Sequence, residues 1–178
     1  LRSVTIARNY AEALFELGEK SGRTAEYADL IDAVAQGLAA APSVQAVLMS
    51  PRITKAAKAQ LFARALPNVP AEFVRFLQAL VKRGRQALLA EISTEYAALL
   101  DIKLNRVRAA VTVARPVDEA LRKSIADALA KVVGKQVIPH FNEDPAILGG
   151  VVVRVGDRVF DGSVRRRIAA LRRTLLPR

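Results

Sequence analysis

One histidine, His140, and no cysteine among 178 residues set narrow limits on the chemistry open to this chain. Any histidine-based proton transfer, or any Ser/His/Asp arrangement, depends on His140 alone, which stands between Pro139 and Phe141 with Glu143 and Asp144 close behind. An ordinary structural or surface histidine is the expectation. Without cysteine there are no disulfides, no thiolate nucleophile and no Cys-ligated zinc or iron–sulfur cluster, and one histidine leaves no His-rich metal site. Asp157 and Asp161 are a paired-carboxylate candidate by residue type, but a turn and a helix start account for them, and no third ligand accompanies them. Gly149, Gly150 and Gly156 lack both the G-x-G-x-x-G spacing and the Walker lysine, and they flank a strand pair where phosphate binding needs a helix N-terminus. Close packing at Gly149-Gly150 and a turn at Gly156 explain them. No catalytic residue, metal site or cofactor is therefore expected, and the chain does not read as an enzyme.

The elements that would position these residues fall into two kinds. Val4, Ala7, Ala11, Leu14 and Gly18, with Tyr10 and Leu17 beside them, recur at the three-and-four spacing of one helix side, and Ser21-Gly22-Arg23 end that helix. Thr24 is a candidate cap for a second helix carrying Tyr27, Leu30, Ile31, Val34 and Leu38 as far as Pro42. A short third helix spans 43–49, closed by Pro51. Thr54 caps a fourth with Ala57, Leu61, Phe62, Ala65 and Leu66. Two prolines make Pro67-Asn68-Val69-Pro70 a turn. Phe73, Phe76, Leu77 and Leu80 mark a fifth helix, broken at Arg83-Gly84-Arg85, and a sixth begins near Gln86 with Leu88, Leu89, Ile92, Tyr96, Leu99, Leu100 and Leu104. Short turns between alanine-rich helices predict a bundle.

Near Asn105 the period changes to two: Val107, Ala109, Val111 and Val113 alternate with Arg108, Ala110, Thr112 and Ala114, as in a half-buried strand. Asp118 caps a helix with Leu121, Ile125, Leu129 and Val132, stopped by Gly134. A strand over 136–141 contains Pro139 and so belongs at an edge. A strand over 149–155 turns at Gly156-Asp157 into Arg158-Val159-Phe160, a hairpin. Asp161 or Ser163 caps a last helix with Val164, Ile168, Leu171 and Leu175 on one face. The fold class is mainly α: an N-terminal six-helix bundle over residues 1–105 followed by a small C-terminal α/β domain over 106–178.

The formal charge of +11 is unevenly spread. Residues 1–105 carry 13 basic and 10 acidic side chains, and 106–178 carry 15 and 7. A basic second part favours acidic partners. No apolar run reaches the length of a membrane span, and no secretory signal is expected. Arg165, Arg166, Arg167, Arg172 and Arg173, with Arg154 and Arg158, make nucleic-acid binding through the last helix the alternative function. Against it, Val164, Ile168, Leu171 and Leu175 require an apolar partner, and only Phe160 offers an aromatic platform in this region. A protein-binding scaffold fits better, and no nucleic acid is expected.

The last third carries a specific pattern. Asp144-Pro145-Ala146-Ile147-Leu148-Gly149-Gly150-Val151-Val152-Val153-Arg154-Val155-Gly156-Asp157, followed by Asp161-Gly162-Ser163-Val164 and Leu171, closely resembles the C-terminal signature of the ATP synthase delta subunit family, called OSCP in mitochondria. Ala7-Arg8-Asn9-Tyr10-Ala11-Glu12-Ala13-Leu14-Phe15 is similar to that family's opening helix, and Arg85 and Val111-Thr112-Val113-Ala114-Arg115-Pro116 match further landmarks. The resemblance covers essentially the whole chain. Gly84 departs from it, standing where the family often has a larger polar residue, and is expected to loosen the junction of the fifth and sixth helices.

The resemblance implies a six-helix domain plus a small α/β domain in the peripheral stalk of a rotary F-type ATP synthase. There the chain would link the F1 catalytic head to membrane-anchored b-type subunits and resist rotor torque during proton-driven ATP synthesis. It implies that a groove of helices one and five receives the N-terminal helix of an alpha subunit, with Tyr10, Leu14, Phe15, Phe73, Phe76, Leu77 and Leu80 as candidates, some of which must serve the core. It implies that the second domain engages the C-terminal parts of b-type subunits, with Val159, Phe160, Ile168, Leu171 and Leu175 as candidates. The expected location is the cytoplasmic face of a bacterial inner membrane, or the matrix side in a mitochondrial homologue, with membrane association indirect through the complex.

Overall fold

The structure, a computed structural model, describes the backbone of residues 2–175 and the side chains of residues 3–172. The chain divides into two compact units between Leu100 and Asp101.

The first unit contains α1 (Arg2–Ser21), α2 (Thr24–Ala40), α3 (Pro42–Met49), α4 (Lys55–Ala65), α5 (Ala71–Lys82), a 3-10 turn (Gln86–Leu88) and most of α6 (Leu89–Lys103). The seam is dry: Ala7, Ala11 and Leu14 of α1, Tyr27 and Ile31 of α2, Phe73 and Leu77 of α5, and Ile92 and Tyr96 of α6 are fully buried. Small residues on α1 let the larger rings of the other helices come close. Tyr27 and Phe73 pack with ring centroids 5.6 Å apart, and the Tyr27 hydroxyl donates to Glu72 Oε2 at 3.2 Å. Val4, expected on the inner stripe, stands outward at 49% exposure, because the stripe is already filled from Ala7 onward.

The helix ends follow local chemistry with some revisions. Thr54 Oγ1 accepts from Ala57 N at 3.2 Å as a cap should. Thr24 does not cap: Arg23 holds the N-cap position without a side-chain bond, and Thr24 is the first residue of α2. Pro42 opens α3 at a position where its missing N–H costs nothing. Gly84, expected to loosen the junction of α5 and α6, ends α5 in a hydrogen-bonded turn. At φ +67° it lets Gly84 N donate to Val81 O (2.9 Å) and Arg85 N to Leu80 O (2.9 Å), the paired bonds of a Schellman end, and a larger residue would be strained there.

The second unit holds β1 (Arg106–Val113), α7 (Glu119–Val133), β2 (Gln136–Glu143), a 3-10 turn (Pro145–Ile147), β3 (Val151–Val155), β4 (Arg158–Asp161) and α8 (Val164–Leu175). The last turn of α6 belongs with it, since Asp101, largely buried, accepts from Arg106 Nε at 2.6 Å and from Arg108 Nε at 2.7 Å. One four-stranded mixed sheet runs β2-β1-β3-β4, with β1 parallel to β2 and antiparallel to β3. The parallel pair needs a crossover, and α7 supplies it. Ala109, Val111, Val113, Val137 and Val153 are buried beneath Ile125, Leu129 and Val133 of α7. Leu121 and Val132, expected on that face, are exposed because the packed stripe is rotated toward Ala130 and Val133. Asp118 Oδ1 accepts from Leu121 N at 2.8 Å and Gly134 ends α7 at φ +70°, both as the sequence predicts. Pro139 lies on edge strand β2. Gly149 and Gly150 fall ahead of β3, a correction to the expected strand start: Gly150 sits at φ +78°, and the Gly162 carbonyl fills the place of any Cβ.

Candidate protein-docking surfaces

The residues expected to meet a partner on the first unit divide by burial. Leu14, Phe73 and Leu77 are fully buried and Leu80 is 1% exposed, so these four serve the bundle core. Tyr10 and Phe15 are half-buried on opposite flanks of the α1 stripe, a consequence of their five-residue spacing. Tyr10 turns to α5, meeting Phe76 edge-on at 6.4 Å between centroids and 72° between planes. Phe15 turns to α6, with its ring 5.5 Å from Tyr96. The α1–α5 seam is therefore closed beneath by the Tyr10–Phe76 pair, with Ile6 and Leu17 half-buried on the Tyr10 flank.

A second apolar surface on this unit went unread in the sequence. Leu30, Val34, Leu38, Leu48, Leu61 and Phe62 line a concavity of about 290 Å³ between α2, α3 and α4. Its signal was present in α3, where Val44, Val47, Leu48 and Met49 crowd eight residues that bury only Leu48. Gly37, in mid-α2, adds another: a Cβ there would meet nothing within 4 Å, so the concavity is open above it.

On the second unit the candidates separate by strand geometry. Val159 and Phe160, adjacent on β4, point to opposite sheet faces. Val159, 51% exposed, borders a shallow hollow with Ala110, Thr112, Val152 and Arg154 on the face away from α7. Phe160, 40% exposed, is in register with the buried Val153. On α8, Val164, Ile168 and Leu171 form one stripe at 38%, 51% and 61% exposure, and Arg165, Arg166, Arg167 and Arg172 surround it. The Leu175 side chain lies outside the described residues. The start of α8 is fixed: Ser163 Oγ accepts from Arg166 N at 3.2 Å, and Asp161 Oδ1 accepts from Ser163 N at 3.0 Å. Hydrogen bonds that Ser163 donates to Asp161, from its side chain first and then from its backbone N–H, hold the Asp161 carboxyl below its ordinary range.

The residues with chemical potential do not assemble. His140 is exposed on β2, in register with Ala110, and Asp157 is exposed in the hairpin turn. Among the described residues no group of three or more His, Asp or Glu side chains could hold a metal ion. No single described helix is long and apolar enough to cross a membrane; α2 and α3 reach that composition together but bend by 99°.

Comparison with known proteins agrees with this architecture. The family model described as ATP synthase delta (OSCP) subunit matches residues 6–175. The ATP synthase subunit delta of Gemmatimonas aurantiaca is 46% identical over 172 residues, covering 96% of this chain and 93% of that protein. Its counterpart in Anaeromyxobacter sp. (strain Fw109-5) is 37% identical over 174 residues, covering 96% and 97%. In fold, the chain is similar to a chain of the Toxoplasma gondii mitochondrial ATP synthase hexamer, with TM-score 0.68 at 21% identity over 97% of this chain and 98% of that one. Matched by the family model over residues 6–175 and by these relatives over 96% of its length, the chain belongs to the ATP synthase delta (OSCP) subunit family and is a non-catalytic stator component of the peripheral stalk.

Proposed function

We propose that the two units hold different neighbours: the first grips the N-terminal helix of an F1 alpha subunit, and the second grips the C-terminal parts of b-type stalk subunits. The supporting observation is the apolar stripe of α8, exposed over Val164, Ile168 and Leu171 amid arginines. A soluble domain gains nothing by leaving three such residues in water unless a partner covers them. The work is a static restraint at the cytoplasmic face of a bacterial inner membrane, reached through the complex. Slow dissociation under load follows from apolar burial, about 25 cal/mol per Å² before association costs, whereas one exposed ion pair adds only about 0–1 kcal/mol. Arginines steer and orient an acidic partner while the greasy stripe holds it.

On the first unit the alpha-subunit helix lies along the α1–α5 seam, with Tyr10 and Phe76 as its floor. Titrating an alpha-subunit N-terminal peptide into Tyr10→Asp and Leu61→Asp variants tests this. Loss of affinity in the first with retention in the second supports the seam. The reverse pattern moves the helix to the α2–α4 concavity and refutes it.

A further inference from the structure

Leu148 is placed at odds with its own chemistry. It follows the 3-10 turn at φ +63°, its N–H donating to Pro145 O at 3.0 Å, in the left-handed region that Gly or Asn adopts more readily. The same side chain is 67% exposed. It borders a crevice of about 520 Å³ with Arg115, Val117, Leu121 and Gly149, between the loop after β1, the start of α7 and the loop before β3. Leu121, 47% exposed, caps the other side. Among the described residues Arg115 is the one charged side chain lining it, and the nearby acids Asp118 and Asp144 are turned onto their own backbones, accepting from Leu121 N and Ala146 N.

The crevice is joined to α8. Val164 N donates to Gly149 O at 2.9 Å, and Val164 Cγ2 covers the position of a Gly149 Cβ at 3.1 Å. The apolar line therefore runs from Leu121 and Leu148 over Gly149 to Val164, Ile168 and Leu171. Helical spacing sets Arg165 and Arg172 on one side of the α8 stripe and Arg167 on the other, and residues 164–175 contain no acid.

We propose that Leu148 and Leu121 form the anchoring end of one continuous docking track for an amphipathic helix whose polar edges are acidic. The inference rests on the stalk-binding reading of the second unit and names residues that reading lacked. Charge complementarity selects the occupant: basic side chains flank the apolar line, and only a helix with carboxylates beside its apolar stripe meets both.

The test uses the full chain and the soluble segment of the b-type subunit, with affinity measured by calorimetry at two salt concentrations. Leu148→Asn suits the left-handed backbone, so its melting midpoint is expected to stay level or rise while affinity falls by about tenfold or more. Leu121→Gln is expected to show the same loss, and Val132→Gln, elsewhere on α7, none. Wild-type-like affinity in both Leu148→Asn and Leu121→Gln overturns the track alone. A sharply lowered melting midpoint in Leu148→Asn also overturns it, assigning Leu148 to the fold. Failure of the wild-type chain to bind the segment overturns the underlying reading. Loss by Leu148→Asn of binding to phosphatidylglycerol vesicles, with the segment still bound, assigns the crevice to lipid and overturns the proposal too.

Discussion

The hydroxyl of Tyr96 occupies space that a methyl group on Gly18 would need: a Cβ there would fall 2.9 Å from Tyr96 Oη. The hydroxyl is held in place by donating to Thr24 O at 2.9 Å. One glycine on α1 thus admits the ring that ties α6 to the start of α2. Gly18→Ala gains about 1 kcal/mol of helix propensity but displaces this bond and crowds the ring, a loss of about 1–3 kcal/mol. A lower urea midpoint by circular dichroism is expected; an unchanged or higher one shows that Tyr96 swings aside without cost.

Burial, with smaller contributions from Tyr27 and Glu19, raises the Tyr96 pKa well above its ordinary value of 10.0. A raised folded-state pKa means stability fully present below the unfolded value and lost as pH rises toward the folded one. Melting midpoints should therefore fall above about pH 10 in the wild type. Tyr96→Phe should be less stable at neutral pH by about 1 kcal/mol yet show a flatter alkaline decline. Parallel curves for the two proteins would exclude Tyr96 as the titrating group.

Asp101 binds two arginines at the entry to β1, and its side chain is 11% exposed against 25% for Arg106 and 51% for Arg108. Asp101→Asn keeps the shape and removes the charge, leaving Arg106 poorly paired. A loss of about 1–2 kcal/mol is expected, discounted for the exposed Arg108. Hydrogen exchange at the first residues of β1 should quicken more than at β3, and equal protection in both strands would count against the clamp.

Leu14 has no surface to offer, so Leu14→Asp places a carboxylate in a dry seam. Loss of more than about 3 kcal/mol, enough to unfold the first unit, is expected by circular dichroism. Tyr10→Asp, half-exposed, should retain its helical signal. If Leu14→Asp remains as helical and as heat-resistant as the wild type, the burial described for α1 is wrong.

The fold was legible where local chemistry is decisive. Thr54 and Asp118 cap as their side chains require, Gly22, Gly84 and Gly134 end helices at positive φ, and the two-residue period of Val107 to Val113 gives β1. Docking residues were less legible because an apolar side chain has the same periodic signature whether it faces a core or a partner. Leu14 and Tyr10 are both apolar members of α1, and only three-dimensional packing puts the first inside and the second at a seam. Leu121 shows the same ambiguity on α7. The sequence also hid the α2–α4 concavity, since Leu30, Val34 and Leu61 read as ordinary core positions until the bend at Ala41 left them uncovered.

Pro139 gives the sheet a self-limiting character. Lacking an amide hydrogen, it interrupts the outer rim of β2, so a stray chain cannot zip along that side. The opposite rim, β4, is only four residues long. An edge interrupted on one side and short on the other offers little template for strand pairing with a second copy during assembly.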